Sequence, residues 1–342
     1  MSIKAIRVPQ IGGTFPTYRR NQLPVLVTGT THPMLGQEIA KLLKIPMSKI
    51  EIKRFECGEP YARAADSLRG KDIFVLHTIN TETTEKDLEQ LKRILGVIKR
   101  TSFEKAHLIL TTYPYARQDR RSKPGEPISA ADFAKEIQTY RVNDFIFIDL
   151  HNPAIEGYFD MPVTHLTAWG LISSYFKNKI NILPNLKVGP TDKGRMGIAR
   201  LVADDLFGHS ATEKFIPLMK WGSSAAGIEK TEVYGDVAGN IFLLIDDMID
   251  GGGTVIKAVD ALVEKGATNV YVGVTHPIFS GKAPFNLQEH PNIAEIVVTD
   301  TINIPSEKRV SKLTVLSIAP LLAAIIRRIY LGESLRDYEH HL

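Results

Sequence analysis

Ile241-Phe-Leu-Leu-Ile-Asp-Asp-Met-Ile-Asp-Gly-Gly-Gly-Thr254 carries five apolar residues straight into two acids, a third acid and a glycine run. The apolar part is short and rich in branched side chains, which reads as a strand, Ile241–Asp246, buried on both faces of a parallel sheet. Its end is then the carboxyl edge of that sheet, where open α/β folds bind ligands. Gly251, Gly252 and Gly253 let successive backbone N–H groups turn into one concavity, and apolar spacing from Thr254 to Lys265 predicts a helix whose N-terminus adds partial positive charge. That combination suits a phosphate. Asp246 and Asp247 repel an anion, so their expected ligands are ribose hydroxyls or a hydrated magnesium ion. The plainer reading is an acidic turn between strand and helix, but turn chemistry alone does not require so ordered a pattern.

Outward from this segment, strand and helix patterns alternate along the whole chain. Val25–Thr28, Ile50–Phe55, Ile73–His77, His107–Thr112 and Asp144–Asp149 read as strands, with helices at Gly36–Leu43, Lys86–Thr101 and Ala130–Tyr140. A second series has strands at Asn185–Gly189, Lys214–Met219, Ile241–Asp246, Asn269–Thr275 and Ile293–Thr299, and helices at Ala168–Phe176, Asp192–Phe207, Thr254–Lys265 and Val315–Arg328. The expectation is an α/β protein of two tandem units, each a mostly parallel sheet flanked by helices. No Ser/Gly/Pro linker separates the units, so the boundary is set near Val163–Ala168, giving residues 1–165 and 166–342 with a tight interface. Tyr338–Leu342 reads as a frayed end.

The composition fits this frame. The chain has 342 residues, 44% of them apolar, which is ample for two cores. No apolar run approaches the ~20 residues of a membrane span, and Met1–Gln22 lacks the apolar stretch of a secretory signal. The single cysteine, Cys57, excludes a disulfide framework and suits a reducing, cytoplasmic setting. A net charge of +4 is too mild, and too little clustered with aromatics, to indicate nucleic acid.

A second constellation, Thr111-Thr-Tyr-Pro-Tyr-Ala-Arg-Gln-Asp-Arg-Arg121, follows directly on a strand and so lies at a carboxyl edge. Arg117, Arg120 and Arg121 suit a chain of phosphates because guanidinium forks bind oxyanions bidentately. The alternative is a solvated basic loop. His151 and Asp192 each follow a strand, where one ion could sit between the two units. Magnesium prefers oxygen ligands, so a single histidine contact among several waters is the expected arrangement. His32, His77 and His165 lack comparable motif support and are read as structural.

The segment around Asp246 resembles the ribose-phosphate loop of the type I phosphoribosyltransferase superfamily. Tyr115-Ala-Arg-Gln-Asp-Arg120, Asp149-Leu-His-Asn152, Arg54-Phe-Glu-Cys-Gly-Glu59 and Ser317-Ile-Ala-Pro-Leu-Leu322 extend the resemblance over nearly the whole chain to the ribose-phosphate pyrophosphokinases. That resemblance implies two phosphoribosyltransferase-like domains and synthesis of phosphoribosyl pyrophosphate from ATP and ribose 5-phosphate. A phosphoribosyltransferase consuming that product, or a non-catalytic relative, are the alternatives. Residue by residue, the resemblance implies ATP contacts at Arg117 and Gln118, with Phe55 and Glu59 serving a neighbouring subunit's adenine. It implies ribose 5-phosphate contacts at Asp246, Asp247, Asp250, Gly251, Gly252, Gly253 and Thr254, Mg2+ contacts at His151 and Asp192, and a catalytic Lys220. Shared adenine contacts imply self-association, at least a dimer and commonly a hexamer.

Three positions depart from the family pattern. Cys57 stands where the family has a second acid, and Gly222 where its mobile loop has an arginine two residues after the lysine; a Trp221–Lys230 lid could bring in another cation such as Lys230. In Arg121-Ser-Lys-Pro-Gly-Glu-Pro-Ile-Ser129 a basic-Ser-basic cluster is replaced by Lys123-Pro124-Gly125, read as a type II turn. Proline and glycine offer no side-chain donor to an oxyanion, so the expectation is an enzyme independent of inorganic phosphate.

Overall fold

The computed structural model describes residues 23–223 and 228–338, with backbone alone for 220–223 and for 228–229. Met1–Gln22, residues 224–227 and 339–342, and the side chain of the expected Lys220, lie outside the described residues.

The first unit contains β1 (Val25–Thr28), α1 (Pro33–Leu43), β2 (Met47–Arg54), β3 (Pro60–Ala64), β4 (Asp72–His77), α2 (Thr84–Lys99), β5 (Lys105–Leu110), α3 (Ser129–Ile137), β6 (Asp144–Ile148) and β7 (Val163–Leu166). Its sheet has the order β3-β2-β1-β4-β5-β6-β7, parallel except for the edge pair β2–β3. The central strands read Phe74-Val75-Leu76 and Leu108-Ile109-Leu110 and are buried on both faces, as crossover helices on either side require.

The second unit contains α4 (Trp169–Lys179), β8 (Leu186–Pro190), α5 (Met196–Phe207), α6 (Ala211–Lys214), β9 (Leu218–Ser223), β10 (Ile228–Val233), β11 (Ile241–Ile249), α7 (Gly253–Glu264), β12 (Asn269–Pro277), α8 (Ala283–Glu289), β13 (Ile293–Thr299), β14 (Leu313–Leu316) and α9 (Ala319–Leu331). A fully parallel sheet runs β14-β13-β12-β11-β8, with β9 and β10 paired separately as an antiparallel ribbon. One face of the large sheet is covered by α4 and α5 through Ile172, Phe176, Ala199 and Val202, the other by α7 through Val255, Val259 and Leu262.

Several expectations change. The strand expected at Lys214–Met219 starts only at Leu218, because Ala211–Lys214 closes a helical turn and Phe215 makes a lone bridge to Val188. The mobile lid expected at Trp221–Lys230 has paired flanks, with Lys220 opposite Thr231 and Gly222 opposite Glu229. β11 continues past Asp246 to Ile249, its register with β12 running on through Met248–His276 and Ile249–Pro277, so both acids lie on the strand itself. The helix expected from Val315 begins at Ala319, since Leu313–Leu316 adds a parallel edge strand to β13.

The last helix crosses the sequence division. The 166–342 assignment puts it with the second unit, yet α9 packs Leu322, Ile325 and Ile326 beside Leu26, Leu35, Ile39 and Phe74 of the first. It is apolar around most of its girth, which only a position buried between a sheet and another helix tolerates. Tyr338, expected to fray, is buried in the same cluster, and its carbonyl accepts from the Thr167 N–H. No helix among the described residues is long and apolar enough to cross a membrane.

Candidate active site

The carboxyl edges of the two large sheets face each other, and hydrogen bonds tie them. At the end of β6, Asp149 has a left-handed backbone (φ 38), and its Oδ2 accepts from the Ala168 N–H at 2.9 Å and from Thr275 Oγ1 of β12 at 2.6 Å. His276, next along β12, donates from Nε2 to the carbonyls of Ile148 and Asp149 at 3.1 Å. On the other side of this seam His32 caps α1 and meets the Asp300 carbonyl at 2.8 Å. The two units are therefore locked at their strand ends, and the expected tight interface is present. The sequence reading gives Asp149, Thr275 and His276 no role at this seam; their only signal is a polar residue at the end of an otherwise apolar strand.

The acid pair sits beside this seam. Asp246 and Asp247 are buried, and successive residues of a strand project to opposite faces, so each finds different partners. Asp246 Oδ2 accepts from Thr191 Oγ1 at 2.5 Å, while Asp247 Oδ2 lies 2.7 Å from His151 Nδ1, across the unit boundary. Arg195, at the start of α5, reaches both acids through Nε, at 3.2 Å to Asp247 and 3.5 Å to Asp246. Burial works against ionisation of either acid. For Asp247 the His151 bond and the Arg195 charge outweigh it, holding the carboxyl down at about 2. For Asp246 burial and the neighbouring Asp247 charge prevail, and its carboxyl is pushed well up. The two acids thus differ in their hold on a proton although they share one guanidinium, and such a pair suits a hydroxyl donor or an added positive charge.

The glycine-rich loop follows. Asp250 leads into Gly251, Gly252 has φ +78, and α7 starts at Gly253 with Thr254 in its first turn. Across the opening, Arg117 Nη1 donates to Asp250 Oδ2 at 2.8 Å, so the two glycine- and arginine-bearing loops, 133 residues apart, meet at one mouth. Between them lies a cleft of about 830 Å3 lined by Tyr115, Arg117, Gln118, His151, Met248 and Asp250 among others. A smaller one of about 330 Å3 continues past His151 and Arg117 to Arg120, Asn152 and Arg195. Tyr115 has φ +57, a conformation β-carbon sterics disfavour, and such strain gathers at ligand clamps. Gln118 is oriented by the Ser129 hydroxyl at 2.7 Å.

Other expected site residues lie apart. Phe55 and Glu59 are exposed on the β2–β3 turn, closed by the Phe55 N–H on the Glu59 carbonyl, and Phe55 packs its ring edge-on to Tyr61. Asp192 caps its own turn, accepting from the Gly194 N–H at 2.8 Å. No three His, Cys, Asp or Glu converge on one point among the described residues. Magnesium, which keeps several waters and draws other ligands from phosphate oxygens, asks for no such cage.

Two facing α/β units with an acid- and glycine-bearing loop at their shared carboxyl edges define a protein of the phosphoribosyltransferase-like fold. Residues 24–140 match the family model described as the N-terminal domain of ribose phosphate pyrophosphokinase, and residues 223–338 match the phosphoribosyl synthetase-associated domain. The chain is 38% identical to a ribose-phosphate pyrophosphokinase of Wolinella succinogenes, covering 91% of this chain and 97% of that one. It is 36% identical to the Bacillus caldolyticus enzyme of the same name, over 86% and 91%. A crystal structure of phosphoribosylpyrophosphate synthetase from Mycobacterium smegmatis superposes with a TM-score of 0.82 at 37% identity, covering 91% of this chain and all of that one. The chain belongs to the ribose-phosphate pyrophosphokinase family.

Proposed function

We propose that this chain synthesises phosphoribosyl pyrophosphate by moving the pyrophosphoryl group of ATP to the anomeric hydroxyl of ribose 5-phosphate, releasing AMP. The observation that carries the reading is the meeting of the Arg117 loop with Asp250 at the mouth of one cleft. A phosphoribosyltransferase has use for the second loop alone; both loops on one cleft fit a reaction that joins two phosphorylated substrates.

In this reading the N–H groups of Gly251–Thr254 at the start of α7 hold the 5-phosphate. Asp246 and Asp247 face the ribose hydroxyls, and a hydrated magnesium ion would find matching charge beside them. Arg117 leaves Asp250 for the ATP phosphates, and Gln118 is held ready by Ser129. Lys220, on the β9–β10 ribbon, meets charge developing on the transferred group. Magnesium, held with phosphate oxygens by His151 and Asp192, would neutralise phosphate charge. Positioning and charge carry such transfers, so no Ser or Cys nucleophile is needed. The exposed Phe55 and Glu59 serve the adenine site of a second copy, which makes a dimer the smallest complete form.

The test is to mix the purified chain with magnesium, ATP and ribose 5-phosphate and follow the phosphorus NMR spectrum. AMP and phosphoribosyl pyrophosphate should rise in equal amounts and only with both substrates present. Formation of ADP would overturn the assignment.

A further inference from the structure

Arg195 has no role in the reading above, although its guanidinium is the best-buried cation at the site, its side chain only 10% exposed. It touches three groups at once. Nη1 donates to the His151 carbonyl at 3.0 Å, Nη2 stands 3.0 Å from His151 Nδ1, and Nε faces both acids. These contacts cannot all be hydrogen bonds. His151 Nδ1 is also 2.7 Å from Asp247 Oδ2, and one ring nitrogen either donates to the carboxylate or accepts from the guanidinium. With Nδ1 donating to the carboxylate, its shorter contact, Nη2 keeps only the long 3.4 Å contact to His151 Nε2. The guanidinium is thus anchored on one side and short of an oxygen on the other. Its short side opens on the smaller cleft, where Arg117, Arg120 and Asn152 supply further donors and no carboxylate other than Asp119 lines the wall. Asp119 is itself engaged, by the Asn152 side chain at 2.5 Å.

We infer that Arg195 is a built-in countercation which holds Asp246 and Asp247 in the substrate-free chain and changes partner to the phosphate chain of the nucleotide when a divalent cation reaches those acids. The inference rests on the proposed site. It gives the chain a guanidinium on a fixed helix start where Gly222 provides none from the ribbon. Three consequences follow from charge alone. Arg195 competes with a divalent cation for the acid pair; it lowers the cation's affinity before nucleotide arrives; and it strengthens phosphate binding afterwards.

The test uses the full chain with Arg195→Gln and Arg195→Lys. Mn2+ is titrated without nucleotide and free ion is read by electron paramagnetic resonance; kcat and KM for ATP are measured separately with magnesium. Arg195→Gln should bind Mn2+ about tenfold tighter or more, while kcat falls about a hundredfold, as loss of a phosphate-directed donor does. Arg195→Lys keeps the charge and loses the fork, so Mn2+ affinity should stay near that of the parent while kcat falls about tenfold. A purely structural residue would weaken both properties together. Unchanged or weaker Mn2+ binding in Arg195→Gln, or kcat within about threefold of the parent in both variants, overturns the inference. If Arg195→Gln does not give a cooperative melt, Arg195→Lys decides: parental kcat overturns the inference, and a tenfold loss with parental Mn2+ affinity upholds it. The Mn2+ arm needs no turnover, so a chain that made no AMP would sink the proposed function and leave this result readable.

Discussion

Single side chains set the pH behaviour of the fold and the division of labour at the site. His77 is wholly buried at the end of β4 with Nε2 on the Asp87 carbonyl at 2.9 Å, and burial pulls its imidazole down to about 4, the carbonyl opposing only weakly. The unfolded chain therefore takes up this proton first, near pH 6.5, so stability is complete above that value and is lost as pH falls toward 4. The loss should be about 2–3 kcal/mol between pH 7 and 4.5, and His77→Gln should flatten that part of a urea-unfolding series. Arg117→Ala removes an ion pair whose partners are both more than a third exposed, so stability should move by less than about 1 kcal/mol while KM for ATP rises. Lys220→Ala should lower kcat with little change in KM, whereas Asp247→Ala should also weaken ribose 5-phosphate binding, which steady-state kinetics separates. Residues of this kind were legible where they sat in patterned runs: Asp246, Asp247, Arg117 and His151 all stand out beside apolar strands. Arg195 did not, because a lone arginine in Thr191-Asp-Lys-Gly-Arg195 looks like any solvated turn until the fold turns it inward onto two acids.

Elements were read best where an apolar strand ran into a glycine turn. The α7 entrance is such a place, and Gly252 is the residue there that needs its freedom. At φ +78 a β-carbon is strained, although Leu287 lies no nearer to it than 3.4 Å. Gly252→Ala should therefore cost about 1 kcal/mol in thermal unfolding and weaken ribose 5-phosphate more than ATP, because only the first relies on this loop's N–H groups. The Pro124–Gly125 turn is likewise as read: Gly125 has φ +84 and the Glu126 N–H reaches the Lys123 carbonyl at 3.4 Å. Glu126 adds something the sequence hid, since its carboxylate accepts the N–H groups of Ser122 and Lys123 at 2.8 and 2.9 Å. Those backbone donors are taken by a negative side chain, so an oxyanion there would meet repulsion. Full activity is expected in phosphate-free buffer, with ADP inhibition relieved by saturating ATP; an absolute phosphate requirement in the same assay would contradict this. Short edge strands escaped the sequence reading, since β3, β7 and β14 span only four or five residues, too few to show a pattern, although each pairs with the strand just before it.

At the scale of the whole molecule, tandem α/β order was readable and the partition of the cores was not. Periodicity identifies an apolar helix but not the sheet it will cover, and α9 covers the one laid down first. Leu322→Ala, fully buried in that cluster, should destabilise the first unit by about 2–5 kcal/mol. Hydrogen exchange should register the loss in β1 and β4 before β11 and β12, if α9 belongs energetically to the sheet it touches.

That returning helix also bears on how the chain is born. Domains generally fold in the order they leave the ribosome, at about 5–20 residues per second. Here β7 ends at Leu166 and α9 begins at Ala319, so the surface made by Leu26, Ile39 and Phe74 waits for its cover while roughly 150 residues are added. At those rates the wait is about eight to thirty seconds. A nascent chain that exposes an apolar sheet face for so long is a natural client for a holdase, and translation pauses within the second unit would prolong that exposure.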